Sequence, residues 1–254
     1  MFDSADMFLW MLTTFRASAL MIVLPLFVVR SVPRTLRVAF AALLGWIVMP
    51  YAGDAAIYPA GLFELVLLIA KEVSIGLLMG IAVRMVFFAL DIATQILSVE
   101  IGLNPAPEFN PDAGIAGNPL GTGLFYLGLL IFVSGAHYAV FFSFARSFEL
   151  VPPGLQVPDN AFVSTVVRHT SRLFMLGLLM CAPVMATNFL VNLTFSVLGR
   201  VVPRMNVFIL SFSARIVAGM SMLALSIGLI AHYIVQELDG APELMLHFLP
   251  FSLR

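Results

Sequence analysis

Between Gly102 and Gly121 a strongly apolar chain gives way to GLNPAPEFNPDAGIAGNPLG, a window with four prolines and four glycines. Proline fixes φ and lacks an N–H donor, and glycine raises the entropic cost of order, so both break helices. The window reads as non-helical throughout, while the sequence on either side reads as long apolar helix. Irregular backbone beside membrane-type helices is tolerated only in water, within protein or along a cavity. The window is therefore either an excursion into solvent or the lining of a passage.

The flanking sequence sets the class. Hydrophobic residues make up 61% of the chain and charged residues 11%, with a mean hydropathy of +1.04. Soluble globular proteins carry about 25% charged residues, so an all-α, polytopic helical membrane protein is expected. The 254 residues fit one domain, because no polar linker is long enough to separate two. A net charge of −1 leaves no electrostatic footprint for nucleic acid. Cys181 stands alone in an apolar run and reads as a small buried side chain rather than part of a disulfide framework. The start MFDSADMFLW lacks a basic n-region, so the first apolar segment is expected to stay with the protein.

About 20 apolar residues cross the roughly 30 Å of a hydrocarbon core. On that measure the chain shows about six apolar segments, near 5–29, 36–52, 62–90, 122–145, 172–198 and 206–236. The second is short, and the third can also extend to 101. The tail from Glu237 is amphipathic and too short for another span. Basic turns should face the cytoplasm. Six spans put Arg30, Arg34 and Arg37 on the same side as Arg200 and Arg204, but leave Arg146, Arg168 and Arg172 on the other. The rule is half obeyed, so either a span is miscounted or some segments do not cross as simple rods.

The third segment contains Lys71, Glu72 and Arg84. Each costs about 2.5–3.5 kcal/mol at mid-bilayer, against about 0.3–0.6 gained per large apolar residue. Burial against protein or water is favoured over lipid. At 100° per residue, Gly80, Arg84, Asp91, Gln95 and Ser98 fall within an arc of about 60°. This polar stripe leads into the Pro/Gly window, while Lys71 and Glu100 project from the opposite face. It reads as a water-facing or partner-facing seam; the plainer alternative is that Arg84 snorkels and Asp91 lies past the membrane end. Gly76 and Gly80 form a small-xxx-small pair that lets another helix approach.

Nothing here carries catalysis. There is no G-x-S-x-G, no H-E-x-x-H and no phosphate loop. His137, His169, His232 and His247 lack metal-ligand spacing, and one cysteine makes a zinc site improbable. The expectation is no enzyme, no catalytic residue, no metal and no cofactor. His137 reads as a packed, hydrogen-bonded residue. Val32-Pro33-Arg34 recurs as Val202-Pro203-Arg204, in each case a basic turn between apolar runs.

Four stretches together resemble the FliR/SctT family of export-gate subunits from flagellar and injectisome type III secretion. RSVPRTLRVAFAALLG carries a Pro-x-x-x-Arg turn at Pro33 and Arg37. EIGLNPAPEFNPDAG matches at Gly102, Leu103, Ala106, Asn110 and Pro111. IFVSGAHYAVFFSFARSFELVPPG matches at His137, Ser147, Phe148, Pro152 and Gly154. VNLTFSVLGRVVPRMNVFILSF matches at Asn192, Leu193, Leu198, Arg200, Pro203, Asn206 and Phe208. Arg204 departs from the family's usual Gln, Glu100 from a common neutral residue, and Pro105 and Pro107 are unusual in the loop.

The resemblance implies a subunit built of bent helical hairpins around a pore, in a hetero-oligomer with two other small membrane subunits and further export components. It implies unfolded export substrates, contact with membrane lipid and a place in the bacterial inner (cytoplasmic) membrane, at the flagellar basal body or secretion apparatus. It also implies that the window near 102–121 is a plug across the pore; Gly102 and Gly121 are the candidate hinges. Flagellar use is favoured over injectisome use. The rival from another class is a small-solute or ion secondary transporter using Arg84, Asp91 and His137. A structural membrane subunit without a pore role is the third reading.

Overall fold

The computed structural model describes residues 4–28, 32–53, 59–103, 118–153, 161–202, 204 and 206–249. Every regular element among them is helical. In order these are α1 (Ser4–Val23), α2 (Pro25–Val28), α3 (Arg34–Val48) with a closing 3₁₀ turn (Met49–Tyr51), α4 (Leu62–Ile101), α5 (Pro119–Ile131), a π-helical turn (Phe132–Ala136), α6 (His137–Leu150), α7 (Ala161–Val201) and α8 (Val207–His247). Among the described residues, five helical stretches are long and apolar enough to cross a membrane: α1, α4, Pro119–Leu150, Val167–Val201 and α8.

The second segment of the sequence reading forms α3, whose 15 residues rise only about 22 Å. That is short of a bilayer core. By contrast α4, at 40 residues, and α7 and α8, at 41 each, rise about 60 Å. Such helices cannot lie wholly within hydrocarbon if they stand upright. The third apolar segment takes its longer form, and the tail from Glu237 does not separate but continues α8 through Pro242 to His247. Leu238, Ala241, Met245 and Phe248 are all buried. This stripe at helical spacing holds the helix together across a Gly–Pro stretch that would otherwise end it.

The chain divides into two compact units. The first comprises Met1–Val86, Phe132–Thr170 and Glu237–Arg254; the second comprises Phe87–Ile131 and Ser171–Gln236.

In the first unit α3 packs along α1. Trp10 Nε1 donates to the Ala42 carbonyl at 3.0 Å and Thr13 Oγ1 to the Gly45 carbonyl at 3.0 Å, while the rings of Trp10 and Trp46 meet edge to face. The other side of α1 meets α4. A Cβ on Gly76 would collide with the Arg16 carbonyl oxygen, and one on Gly80 would lie 2.8 Å from Val23 Cβ. The small-xxx-small pair thus has α1 as its partner.

At this crossing Arg16 is fully buried. Its Nε donates to Glu72 Oε2 at 2.6 Å, Nη1 to Ser147 Oγ at 3.2 Å, and Nη2 to the Val151 carbonyl at 3.1 Å. Its guanidinium carbon lies 4.0 Å from the centre of the Phe148 ring. One side chain therefore joins α1, α4 and the C-terminal end of α6, where orphan carbonyls favour a cation. Burying a charge is expensive unless it is paired and hydrogen-bonded, and here it is both. Glu72, costly in the sequence reading, is neutralised inside the protein, whereas Lys71 on the same turn is exposed.

Candidate functional site

The second unit is built around the last turns of α4. Three glycines allow close approach: Gly128 of α5 lies against Phe87 and Leu90, Gly177 of α7 against the Ala89 carbonyl and Ile92, and Gly219 of α8 against Ile101. Asn188 of α7 is buried and donates its amide to Glu100 Oε2. Its Oδ1 is buried without a hydrogen-bond partner among the described residues.

Helix α4 ends at the first residue of the Pro/Gly window. Gly102 has φ +82°, its N–H donates to the Val99 carbonyl at 3.1 Å, and the Leu103 N–H donates to the Ser98 carbonyl at 2.9 Å. These two bonds form a Schellman cap, with glycine in the left-handed conformation that side chains disfavour. The window closes with an equally defined start. Asn118 Oδ1 accepts from the N–H groups of Leu120 at 3.1 Å and Gly121 at 3.2 Å, so Asn118 is the N-cap of α5 and Pro119 its first helical residue.

Helix therefore resumes three residues before the boundary read from sequence. Gly121 lies within the first turn of α5 and is no loop end. Asn118 Nδ2 also lies 3.5 Å from the Thr94 carbonyl, which ties the start of α5 back to α4. Along α4, Thr94 and Gly102 differ by about 12 Å of helical rise. Both ends of the window thus meet the last turns of one helix. Ala106, Asn110 and Pro111, with Pro105, Pro107, Glu108 and Asp112, lie outside the described residues.

The polar stripe leads into this junction but is not uniform. Gln95 is exposed, Arg84 and Asp91 are half-buried, and Ser98 is buried, donating its hydroxyl to the Thr94 carbonyl at 2.7 Å. His137, at the end of the π-helical turn, places Nδ1 3.3 Å from the Phe132 carbonyl and its ring 4.0 Å from that of Tyr138. The imidazole thus sits on the first carbonyl of the π-helical turn.

A sequence model of bacterial export proteins, family 1, matches residues 7–241 of this chain. The chain belongs to that family. It is 28% identical to the flagellar biosynthetic protein FliR of Caulobacter vibrioides, covering 85% of this chain and 87% of that one. The FliR proteins of Bacillus subtilis and Escherichia coli are 28% and 25% identical, covering 87% and 90% of this chain and 86% and 87% of theirs. Family membership and five apolar helices make this a membrane-embedded export protein.

Several residues that carried the family resemblance have a visible physical task. Pro33 precedes α3 at its N-cap position. Ser147 and Phe148 surround Arg16. Asn192 accepts from Arg215 Nη2 at 2.9 Å, joining α7 to α8. Asn206 Oδ1 lies 3.4 Å from the Ile209 N–H at the start of α8, a position suited to an N-cap. Arg200 and Phe208 are exposed, Phe208 by 81%; Gly154 and Pro203 lie outside the described residues. The sequence reading missed Arg16. Its signal was a lone arginine inside the first apolar run and Glu72 among the charges of the third.

Proposed function

We propose that this export-family protein is a non-enzymatic subunit of the flagellar export apparatus, and that it helps form and close the channel through which flagellar proteins leave the cell. Its two units act together as one export-gate domain. The carrying observation is the anchoring of the Pro/Gly window at both ends: Gly102 caps α4, while Asn118 caps α5 and reaches back to Thr94. Both helices flanking the segment thus have their own caps, independent of it. In this proposal Gly102, Leu103, Ala106, Asn110 and Pro111 belong to a plug. Arg84, Asp91 and Gln95 line the lumen or meet a partner helix. The hinge sits at Gly102 and Asn118.

The partners are two other small export-gate membrane subunits, further export components and unfolded substrates, in the bacterial inner membrane at the basal body. Support comes from the apolar surface left open: Phe174, Phe189 and Leu193 of α7 and Phe208, Val217 and Leu225 of α8 are more than half exposed. That surface requires lipid or other helices. Gentle purification of the tagged protein, followed by weighing the complex, tests the assembly. A hetero-oligomer together with loss of motility and flagellar export in a deletion strain is expected. A functional homo-oligomer moving a small solute would contradict the proposal.

A further inference from the structure

In the second unit the α7–α8 hairpin carries a polar seam on an otherwise apolar surface. Arg215 Nη2 donates to Asn192 Oδ1 at 2.9 Å. Nearer the turn Gly199 faces Val207, where a Cβ would lie 3.3 Å from Val207 Cγ2. These two contacts fix the antiparallel register. Ser196 of α7 and Ser211 of α8 each lie one helical turn nearer the hairpin's end than the bonded pair, so they share its face. Asn192 and Ser196 are exposed, and Ser211 and Arg215 are half-buried. Beside the seam, Leu193 and Val197 of α7 and Phe208 and Ile209 of α8 are exposed too, a setting for lipid or other helices rather than water.

The charge on this seam is not neutralised within the chain. From Asn160 to Gln236 the sequence has no aspartate or glutamate, yet it includes Arg200, Arg204 and Arg215. Among the described residues no carboxylate pairs with Arg215. Its Nη2 meets a neutral amide, and its Nε is buried without a hydrogen-bond partner. Glu100, in the same unit, is engaged by Asn188, one turn along α7 from Asn192. An arginine among membrane helices is costly unless it is paired or faces water. We infer that the seam is the docking line of a neighbouring membrane helix that carries a carboxylate opposite Arg215, with Ser196 and Ser211 letting that helix approach closely. A lipid phosphate fits less well. Helix α8 begins at Val207, so Arg215 stands about 12 Å of rise from its start, tied to Asn192 rather than free to snorkel toward a headgroup. A second copy of the seam is ruled out by charge, since it would set arginine against arginine. The inference rests on the assembly proposed above and adds the chemistry of the partner at this surface.

The test uses the full tagged chain assembled with its partner subunits in cells. A photo-crosslinking residue in place of Ser196 maps the helix on the seam by mass spectrometry. The expected product is an apolar partner helix with an aspartate or glutamate within one turn of the crosslink. Like charges brought together at an interface are strongly unfavourable, so Arg215→Glu should cut recovery of the hetero-oligomer by about tenfold or more, while Arg215→Lys should largely keep it. Changing the mapped acid to lysine should restore assembly of the Arg215→Glu chain. That rescue separates lost docking from misfolding, because a misfolded chain gains nothing from a change in its partner. Crosslinks confined to lipid or to a second copy, a mapped helix without an acid, undiminished assembly of Arg215→Glu, or failure of the rescue would overturn the inference while leaving the proposed assembly standing. So would rescue by Glu108→Lys or Asp112→Lys in this chain. Failure of the wild-type chain to form any hetero-oligomer would overturn the proposed assembly and this inference with it.

Discussion

Arg16 Nε lies 2.6 Å from Glu72 Oε2, with 0% and 1% of the two side chains exposed. The pair joins the first helix to the long fourth one, and the same guanidinium ends α6. Removing one partner strands a buried charge, so Arg16→Ala or Glu72→Ala should destabilise the protein by about 3–5 kcal/mol. Replacing both by apolar residues of similar volume, Arg16→Met with Glu72→Leu, should recover much of that loss. Thermal unfolding of the purified full chain in detergent checks the ordering of the three variants.

The crossing beside that pair gives a second expectation. At Gly76 a methyl group would strike the Arg16 carbonyl, a backbone atom that cannot turn aside. Gly76→Ala should lower stability by about 1–3 kcal/mol. Gly123, exposed on α5 with open space where its Cβ would be, is the control. There alanine should be neutral or stabilising by up to about 1 kcal/mol. The same unfolding measurement separates them.

The two caps of the window can be broken independently. Gly102→Ala puts a side chain at φ +82° and should cost about 1–2 kcal/mol locally; Asn118→Ala removes an N-cap and should cost about 1 kcal/mol. Hydrogen exchange reads each at its own amides. Gly102→Ala should speed exchange at residues 102 and 103. Asn118→Ala should do so at 120 and 121. Acceleration of both pairs by either change would show that the two anchors are not separate.

As an acceptor for the Asn188 amide, a glutamine in place of Glu100 would serve nearly as well. Glu100→Gln should change stability by less than about 1 kcal/mol, while Glu100→Leu, which leaves the buried Asn188 amide unpaired, should cost about 1–3 kcal/mol. Equal effects of both would mean that charge, not acceptance, matters there.

Much of the helical layout was legible from apolar periodicity, since long runs in an apolar chain leave little other choice. Gly76 and Gly80 announced a close crossing, although only the packed structure names α1 as the neighbour. The window's first boundary was legible because Gly102 meets a backbone requirement. Its second was misplaced, because Pro119 reads as a breaker although proline suits the first turn of a helix. The tail's amphipathic character was legible, but its continuity with α8 was not, because it depends on the buried stripe from Leu238 to Phe248 that carries the helix past Gly240 and Pro242. Arg16 was the costliest omission. A single arginine in an apolar run resembles a snorkelling one until its carboxylate partner, 56 positions away, is seen beside it.

In the proposed gate, the segment between the two caps closes an export channel. Replacing residues 104–117 by a short Gly/Ser linker keeps Gly102 and Asn118 in place, and the close approach of both to α4 makes so short a bridge feasible. The decisive measurement is ion and small-molecule leak in cells carrying the assembled gate with this variant. A raised leak is expected, with the complex still assembled; an unchanged permeability barrier with export intact would rule out the plug.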